Sequence, residues 1–250
     1  MDEITDNVHS DASTIQQQLV EWEDRFDKLS RGEPVDAMDA ALTQCLRRNA
    51  GTLDEQPFQD MISGMKSDMK SDVDGIRTIQ NMEELETYCY QVAGTVGCML
   101  LPLLNADIEK SRESAIALGK SIQLINILRD ACPDAELKRV YLPQDLLQLE
   151  GVSNDDILNL KSSDGYCRVV QRVANRAHEL LREAEIGKNT LPSLGPLFVQ
   201  IIVELYRGYL IKLHDMNYDN LNAEGERVKI STLEKLGATV KAVYSTLVEK

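Results

Sequence analysis

Two runs of this chain carry residue types suited to metal-assisted phosphate chemistry. Asp2-Glu-Ile-Thr-Asp6 lies at the start, and Gln123-Leu-Ile-Asn126-Ile-Leu-Arg129-Asp130-Ala-Cys-Pro-Asp134 lies at the middle. Each sets two carboxylates four residues apart, a spacing that stacks both on one face of a helix. There they repel unless a cation sits between them. Two such faces turned toward each other could hold Mg²⁺ and, through it, a diphosphate.

Spacing alone decides little, because with 41 acidic residues in 250 chance gives roughly seven acid pairs at i,i+4. Asp68/Asp72 and Asp215/Asp219 share it. The middle run differs in its surroundings. Ile122, Leu124, Ile125, Ile127 and Leu128 make that helix apolar almost all round, which marks it as buried. Gln123, Asn126, Asp130 and Asp134 step through it by three, four and four residues, so they form one polar stripe. A buried polar group without a partner costs on the order of 2–7 kcal/mol, and a charge costs more. The stripe must therefore meet a metal, a cation or a polar ligand, or else bond to a neighbouring helix.

The elements that position these residues read as helices throughout, since 3.6-residue periodicity dominates and no alternating strand pattern persists. The pattern predicts helices over 11–30, 36–49, 55–71, 82–104, 108–131, 164–187, 196–218 and 231–248, with short turns near 143–149 and 153–160. Asp36 and Ser153 have the chemistry of N-caps. Lys66-Ser-Asp-Met-Lys-Ser-Asp72 reads as a solvated helix end, with Asp68 and Asp72 at the surface. Gly94 and Gly97 inside a helical pattern each cost about 1 kcal/mol relative to alanine. Close helix packing or a ligand chain against the backbone would explain them. Pro133 lacks a backbone donor and disfavours helix at Cys132, which predicts that Asp134 is displaced from Asp130.

Composition narrows the partners. The 250 residues suit one large domain over 1–250. A formal net charge of −14 argues against nucleic acid and against a strongly anionic membrane surface. Five cysteines without CxxC spacing indicate neither a disulfide framework nor a zinc site, and so a reducing compartment. Residues 1–12 are polar and acidic, unlike a signal peptide, and the apolar stretch 191–205 is too interrupted to span a bilayer. His9, His178 and His214 follow Asp6, Asn175 and Ile211 at three residues, so the Glu-x-x-His pairs of a di-iron bundle are missing.

Five segments in order, Asp36-Ala-Met-Asp39-Ala-Ala-Leu, residues 56–65, Tyr88-Cys-Tyr-Gln-Val-Ala-Gly-Thr-Val-Gly97, Gln123 to Asp130, and Arg139-Val-Tyr-Leu-Pro-Gln-Asp145, resemble the squalene and phytoene synthase family, and within it the phytoene synthases. The resemblance runs from Asp2 nearly to the C-terminus. It implies an all-α class I isoprenoid synthase bundle. Family members carry further helical residues before the first aspartate motif, so the bundle is expected to be N-terminally incomplete.

The family joins two prenyl diphosphates head to head through a cyclopropyl diphosphate, using Mg²⁺, with Mn²⁺ as the alternative, and without a nicotinamide reductant for phytoene. By position, the resemblance makes Asp2, Asp6, Asp130 and Asp134 the metal ligands. Gln123 and Asn126 line the diphosphate site, and Tyr88 faces the reacting carbons. Arg129, Arg139, Tyr141 and Arg227 are the candidates for diphosphate contact, with a surface salt bridge as the alternative for each arginine. The implied substrate is geranylgeranyl diphosphate. The alternatives are a squalene-type condensation of farnesyl diphosphate and a non-catalytic relative acting through protein interaction. The expected location is the plastid of a photosynthetic eukaryote, peripheral to a membrane, or otherwise the cytoplasm.

Overall fold

The computed structural model describes residues 12–48, 54–68, 75–222 and 226–248. Helices α1 (Ala12–Ser30), α2 (Ala37–Arg48) and α3 (Gln56–Ser67) come first. Arg25 of α1 chelates the buried Asp39 of α2 with bonds of 2.7 to 3.0 Å. Asp36 accepts from the Asp39 amide at 2.8 Å, which is its predicted capping role. Phe26 stacks on Phe58 of α3 at 5.1 Å.

The predicted helix 82–104 is broken into α4 (Met82–Cys89), a π-turn (Tyr90–Gly94) and α5 (Thr95–Leu103). Such wide turns insert a residue and re-aim the side chains around them. Helix α6 (Ile108–Arg129), capped by Asp107, crosses this segment with almost no gap. A Cβ on Gly97 would lie 2.6 Å from the Ala115 carbonyl oxygen, and one on Gly119 would lie 2.4 Å from that of Ala93. Close helix packing therefore explains the glycines. Gly119→Ala forces backbone apart, and its expected cost is about 2–4 kcal/mol in a urea unfolding titration. An unchanged midpoint would contradict this packing.

The other face of α6 packs on α10 (Asp164–Gly187), the most extensive contact among the described elements. Helix α10 lays Val169, Val170, Val173, Ala177, Leu180 and Leu181 along one side, the stripe expected of a helix facing a core. Helix α11 (Gly195–Asp215) and helix α12 (Thr232–Val248) follow.

One departure from an all-helical reading matters to the site. Residues Arg77–Ile79 (β1) and Arg139–Pro143 (β2) pair in parallel, with Arg77 beside Arg139. Three and five residues are too few to show alternation, and β2 is buried almost throughout, which removes the polar half of the pattern. Short helices α7 (Ala131–Glu136), α8 (Gln144–Leu149) and α9 (Asn154–Leu158) flank β2. Ser153 and Asp156 form a reciprocal capping box on α9.

Pro133 does not disrupt the backbone hydrogen bond between Asp134 and Asp130. The chain breaks earlier, at Asp130 (φ −102°, ψ 20°), which ends α6 and opens α7. Pro133 then falls in the first turn of α7, where an amide has no intrahelical partner to lose. The Asp134 amide still reaches the Asp130 carbonyl at 2.9 Å, so the four-residue relation survives.

Candidate active site

The end of α6 is held from far along the chain. The Asn220 side-chain Nδ2 donates to the Leu128 carbonyl at 2.6 Å, and the Val228 backbone amide donates to the Arg129 carbonyl at 2.8 Å. These are carbonyls that a terminating helix leaves without partners. The same contact carries Arg227 to within 3.6 Å of Asp130.

Around this point a cavity of about 380 Å³ opens, lined by Met65, Asp68, Tyr88, Val92, Gln123, Asn126, Ile127, Arg129, Asp130, Asp134, Arg139 and Tyr141. The polar stripe read from α6 faces it whole. Tyr88, Arg129, Arg139 and Tyr141 join the stripe from α4, α6 and β2. Arg227 stands at the edge through its approach to Asp130, and is more than half exposed. Asp2 and Asp6 lie outside the described residues.

Asp130 sits at the negative end of the α6 dipole, a poor place for a carboxylate without cations. Arg129 supplies one, with Nε at 2.9 Å and Nη2 at 2.6 Å from its two oxygens. That pairing raises the arginine pKa above its ordinary value. The Arg129 guanidinium also lies 5.8 Å from the Tyr209 ring centroid. The Asn126 side-chain oxygen is buried and accepts no hydrogen bond from the protein.

Asp68 departs from the surface position expected of it, while Asp72 lies outside the described residues. The Asp68 carboxylate accepts from the Tyr88 hydroxyl at 2.9 Å and from the Tyr141 hydroxyl at 3.1 Å, with Arg77 Nε at 3.8 Å. The two tyrosine rings stack at 5.3 Å and 15°, and the Arg77 guanidinium lies 5.8 Å from the Tyr88 ring. Burial pushes the Asp68 carboxyl above its ordinary range despite two hydroxyl donors and the nearby Arg139 and Arg77. Burial likewise raises both tyrosines far above theirs, Tyr141 and Asp68 adding to the rise at Tyr88. Both phenols therefore stay neutral.

Asp68 had one local signal in the sequence. It lies three residues after Met65 and four after Gly64, on the buried side of α3. Arg77 had no such signal, because the β1–β2 pairing alone brings it to Asp68.

Mg²⁺ takes hard oxygen donors and is bound through one or two carboxylates together with substrate phosphates and water. Asp130, Asp134 and the unpartnered Asn126 oxygen are of that kind and share one cavity wall. Among the described residues no group of three His, Cys, Asp or Glu side chains forms a metal centre by itself. The donor set fits a cation completed by phosphate oxygens.

A helical core with aspartates at its mouth is the class I isoprenoid synthase arrangement. Solved structures share the helical fold: a squalene synthase from Alicyclobacillus acidocaldarius matches with a TM-score of 0.77 at 22% identity, over 87% of this chain and 79% of that one. A dehydrosqualene synthase solved with a ligand matches with a TM-score of 0.77 at 23% identity, over 100% of this chain and 83% of that one. The chain belongs to the squalene/phytoene synthase family, whose sequence profile matches residues 1–234.

Among curated relatives, the chloroplastic phytoene synthase of Narcissus pseudonarcissus is 35% identical over 98% of this chain and 57% of its own length. The chloroplastic phytoene synthase 1 of Arabidopsis thaliana is 38% identical over 88% of this chain and 51% of its own. The chain thus spans about half the length of these relatives.

Proposed function

We propose that this chain carries the catalytic centre of a phytoene synthase, which condenses two geranylgeranyl diphosphates head to head. The observation that carries the reading is a polar, charged cavity with an apolar row leading away from one of its lining residues. Asp130, Asp134, Arg129, Arg139, Gln123 and Asn126 give it that character. Val92 lines the same cavity, and Val96, Leu100 and Leu104 follow it at four-residue steps along the π-turn and α5. These last three are 39–41% exposed, and Leu100 and Leu104 open onto an apolar slot shared with Leu101 and Leu118. At 1.5 Å per residue the row is about 18 Å long, a run suited to a prenyl tail.

Mg²⁺, when bound, neutralises the charge on the departing diphosphate. Asp130 and Asp134 would hold it, and Arg139 and Arg129 offer guanidinium forks to phosphate oxygens. Loss of the first diphosphate with its bonding electrons leaves an allylic cation. The C2–C3 alkene of the second substrate attacks that cation, and a proton leaves as the cyclopropane closes. A second ionisation, rearrangement and proton loss give phytoene, so two diphosphates and two protons depart and no reductant is consumed. Tyr88 and Tyr141 stay neutral and are tethered through their hydroxyls to Asp68. They present ring faces that attract a cation without adding to it.

The names of the relatives, chloroplastic phytoene synthases, support a plastid location and phytoene as the product. The test is product analysis with geranylgeranyl and farnesyl diphosphate, each with Mg²⁺. Phytoene from the first is expected. A squalene-type product from the second alone would transfer the assignment to that branch, and no product or diphosphate from either would leave a non-catalytic relative.

A further inference from the structure

Arg77 is buried, with 7% of its surface exposed, yet it stands behind the cavity wall rather than in it. Its Nη1 donates to the Thr78 carbonyl and its Nη2 to the Ser67 hydroxyl at 3.4 Å. Its Nε makes no hydrogen bond and lies 3.8 Å from the Asp68 carboxylate. A buried ion pair seldom stabilises a fold more than apolar residues of the same size, so the charge calls for another use. The β1–β2 register also sets Arg77 beside Arg139, and like charges opposite each other on neighbouring strands are destabilising. Asp68 is what the two arginines share. Burial raises its carboxyl, and the Tyr88 hydroxyl, Arg139 and Arg77 pull it back down in that order.

We propose that Arg77 is a positioning residue of the reaction: it is the counter-charge that keeps Asp68 accepting both tyrosine hydroxyls once a diphosphate engages Arg139. The inference rests on the proposed function for the arrival of that diphosphate. Arg139 lines the cavity, so phosphate oxygens bound there draw its charge away from Asp68. Arg77 does not reach the cavity and stays directed at the carboxylate. The difference matters because a carboxylate has two acceptor oxygens, whereas a carboxyl that has taken up a proton must donate one of its bonds. One tyrosine hydroxyl would then have to turn, and the Tyr88–Tyr141 stack would shift. The charged and titratable groups facing Asp68 are Tyr88 from α4, Tyr141 and Arg139 from β2, and Arg77 from β1. Arg129, Asp130 and Asp134 line the same cavity.

The test compares wild type with Arg77→Met, which removes the charge at similar volume, and Arg77→Lys, which keeps it. Tyrosine carrying ¹³C at its hydroxyl-bearing carbon is followed by NMR from pH 4 to 8, with and without Mg²⁺ and inorganic diphosphate. Tyr88→Phe and Tyr141→Phe assign the two signals, which move together where Asp68 takes up a proton. A cation this close lowers a carboxylate by about 1–3 pH units. Proton uptake should therefore occur at least about one pH unit higher in Arg77→Met than in wild type, with a wider gap when diphosphate is bound, while Arg77→Lys stays near wild type. At pH 6 the kcat of Arg77→Met should fall at least about tenfold, the equivalent of one pH unit, with KM within about twofold, and recover as pH rises. Arg77→Gln takes its place if the methionine variant unfolds. Proton uptake at one pH in all three chains would overturn the proposal, as would a kcat loss of the same size at every pH. Because the NMR titration needs no turnover, it decides the role of Arg77 even in a chain that makes no product, a result that would count against the proposed function alone.

Discussion

Asp130→Asn should lower Mg²⁺-dependent release of diphosphate by at least about 10³-fold, because it removes a charge that holds the cation on which departure of the leaving group depends. The variant should also show an opposite effect on binding. Arg129 and Arg227 both direct their charge at Asp130. Freed from it, they meet a diphosphate with less competition. Without Mg²⁺, inorganic diphosphate should therefore bind the variant as tightly as wild type or more tightly, measured by calorimetry. A structural role for Asp130 alone would move melting temperature and leave turnover per folded molecule intact. Asp39→Asn is the control. Asp39 is buried and doubly paired with Arg25 but lies outside the cavity, so this change should cost stability and spare turnover.

Asp68→Asn should lower kcat by about 10²-fold with little change in KM, the range expected when positioning around a reacting centre is lost. The carboxylate accepts one tyrosine hydroxyl on each oxygen, and an amide offers a single acceptor, so one hydroxyl of the stacked pair must turn from donating to accepting and its ring shifts. Stability should respond in the other direction. The folded state holds the Asp68 proton more tightly than the unfolded chain does. Its contribution to stability is thus largest below the ordinary carboxylate range and falls as pH rises toward the raised value. Above that value wild type carries a buried charge that the asparagine variant lacks. The difference in unfolding free energy between the two, followed by urea titration from pH 4 to 7, should shift steadily in favour of the variant. A difference that is flat with pH, or an unaltered kcat, would remove Asp68 from the site.

The helix through 123–134 was legible because two patterns conflict along it. An apolar helix carrying a polar stripe requires a use for the stripe, and the cavity supplies one. Asp130 and Asp134 could be paired from spacing once Pro133 is placed in the first turn of a new helix, where it does no harm. Asp68 was hidden by its neighbours, because Lys66, Lys70 and Asp72 give its segment the look of a solvated end. Its partners lie 20 and 73 residues away, and only folding reveals them. The β1–β2 pair was hidden by brevity, although it delivers Arg77, Arg139 and Tyr141 to the site.

The account is tested most directly by a crystal structure of the chain with Mg²⁺ and a thio-diphosphate analogue of geranylgeranyl diphosphate that cannot ionise. The diphosphate should lie between Asp130, Asp134 and Arg139, with the first isoprene unit against the Tyr88 ring and the tail along Val92, Val96 and Leu100. A diphosphate bound elsewhere, with Asp130 still closed on Arg129 and the cavity lacking metal, would contradict it.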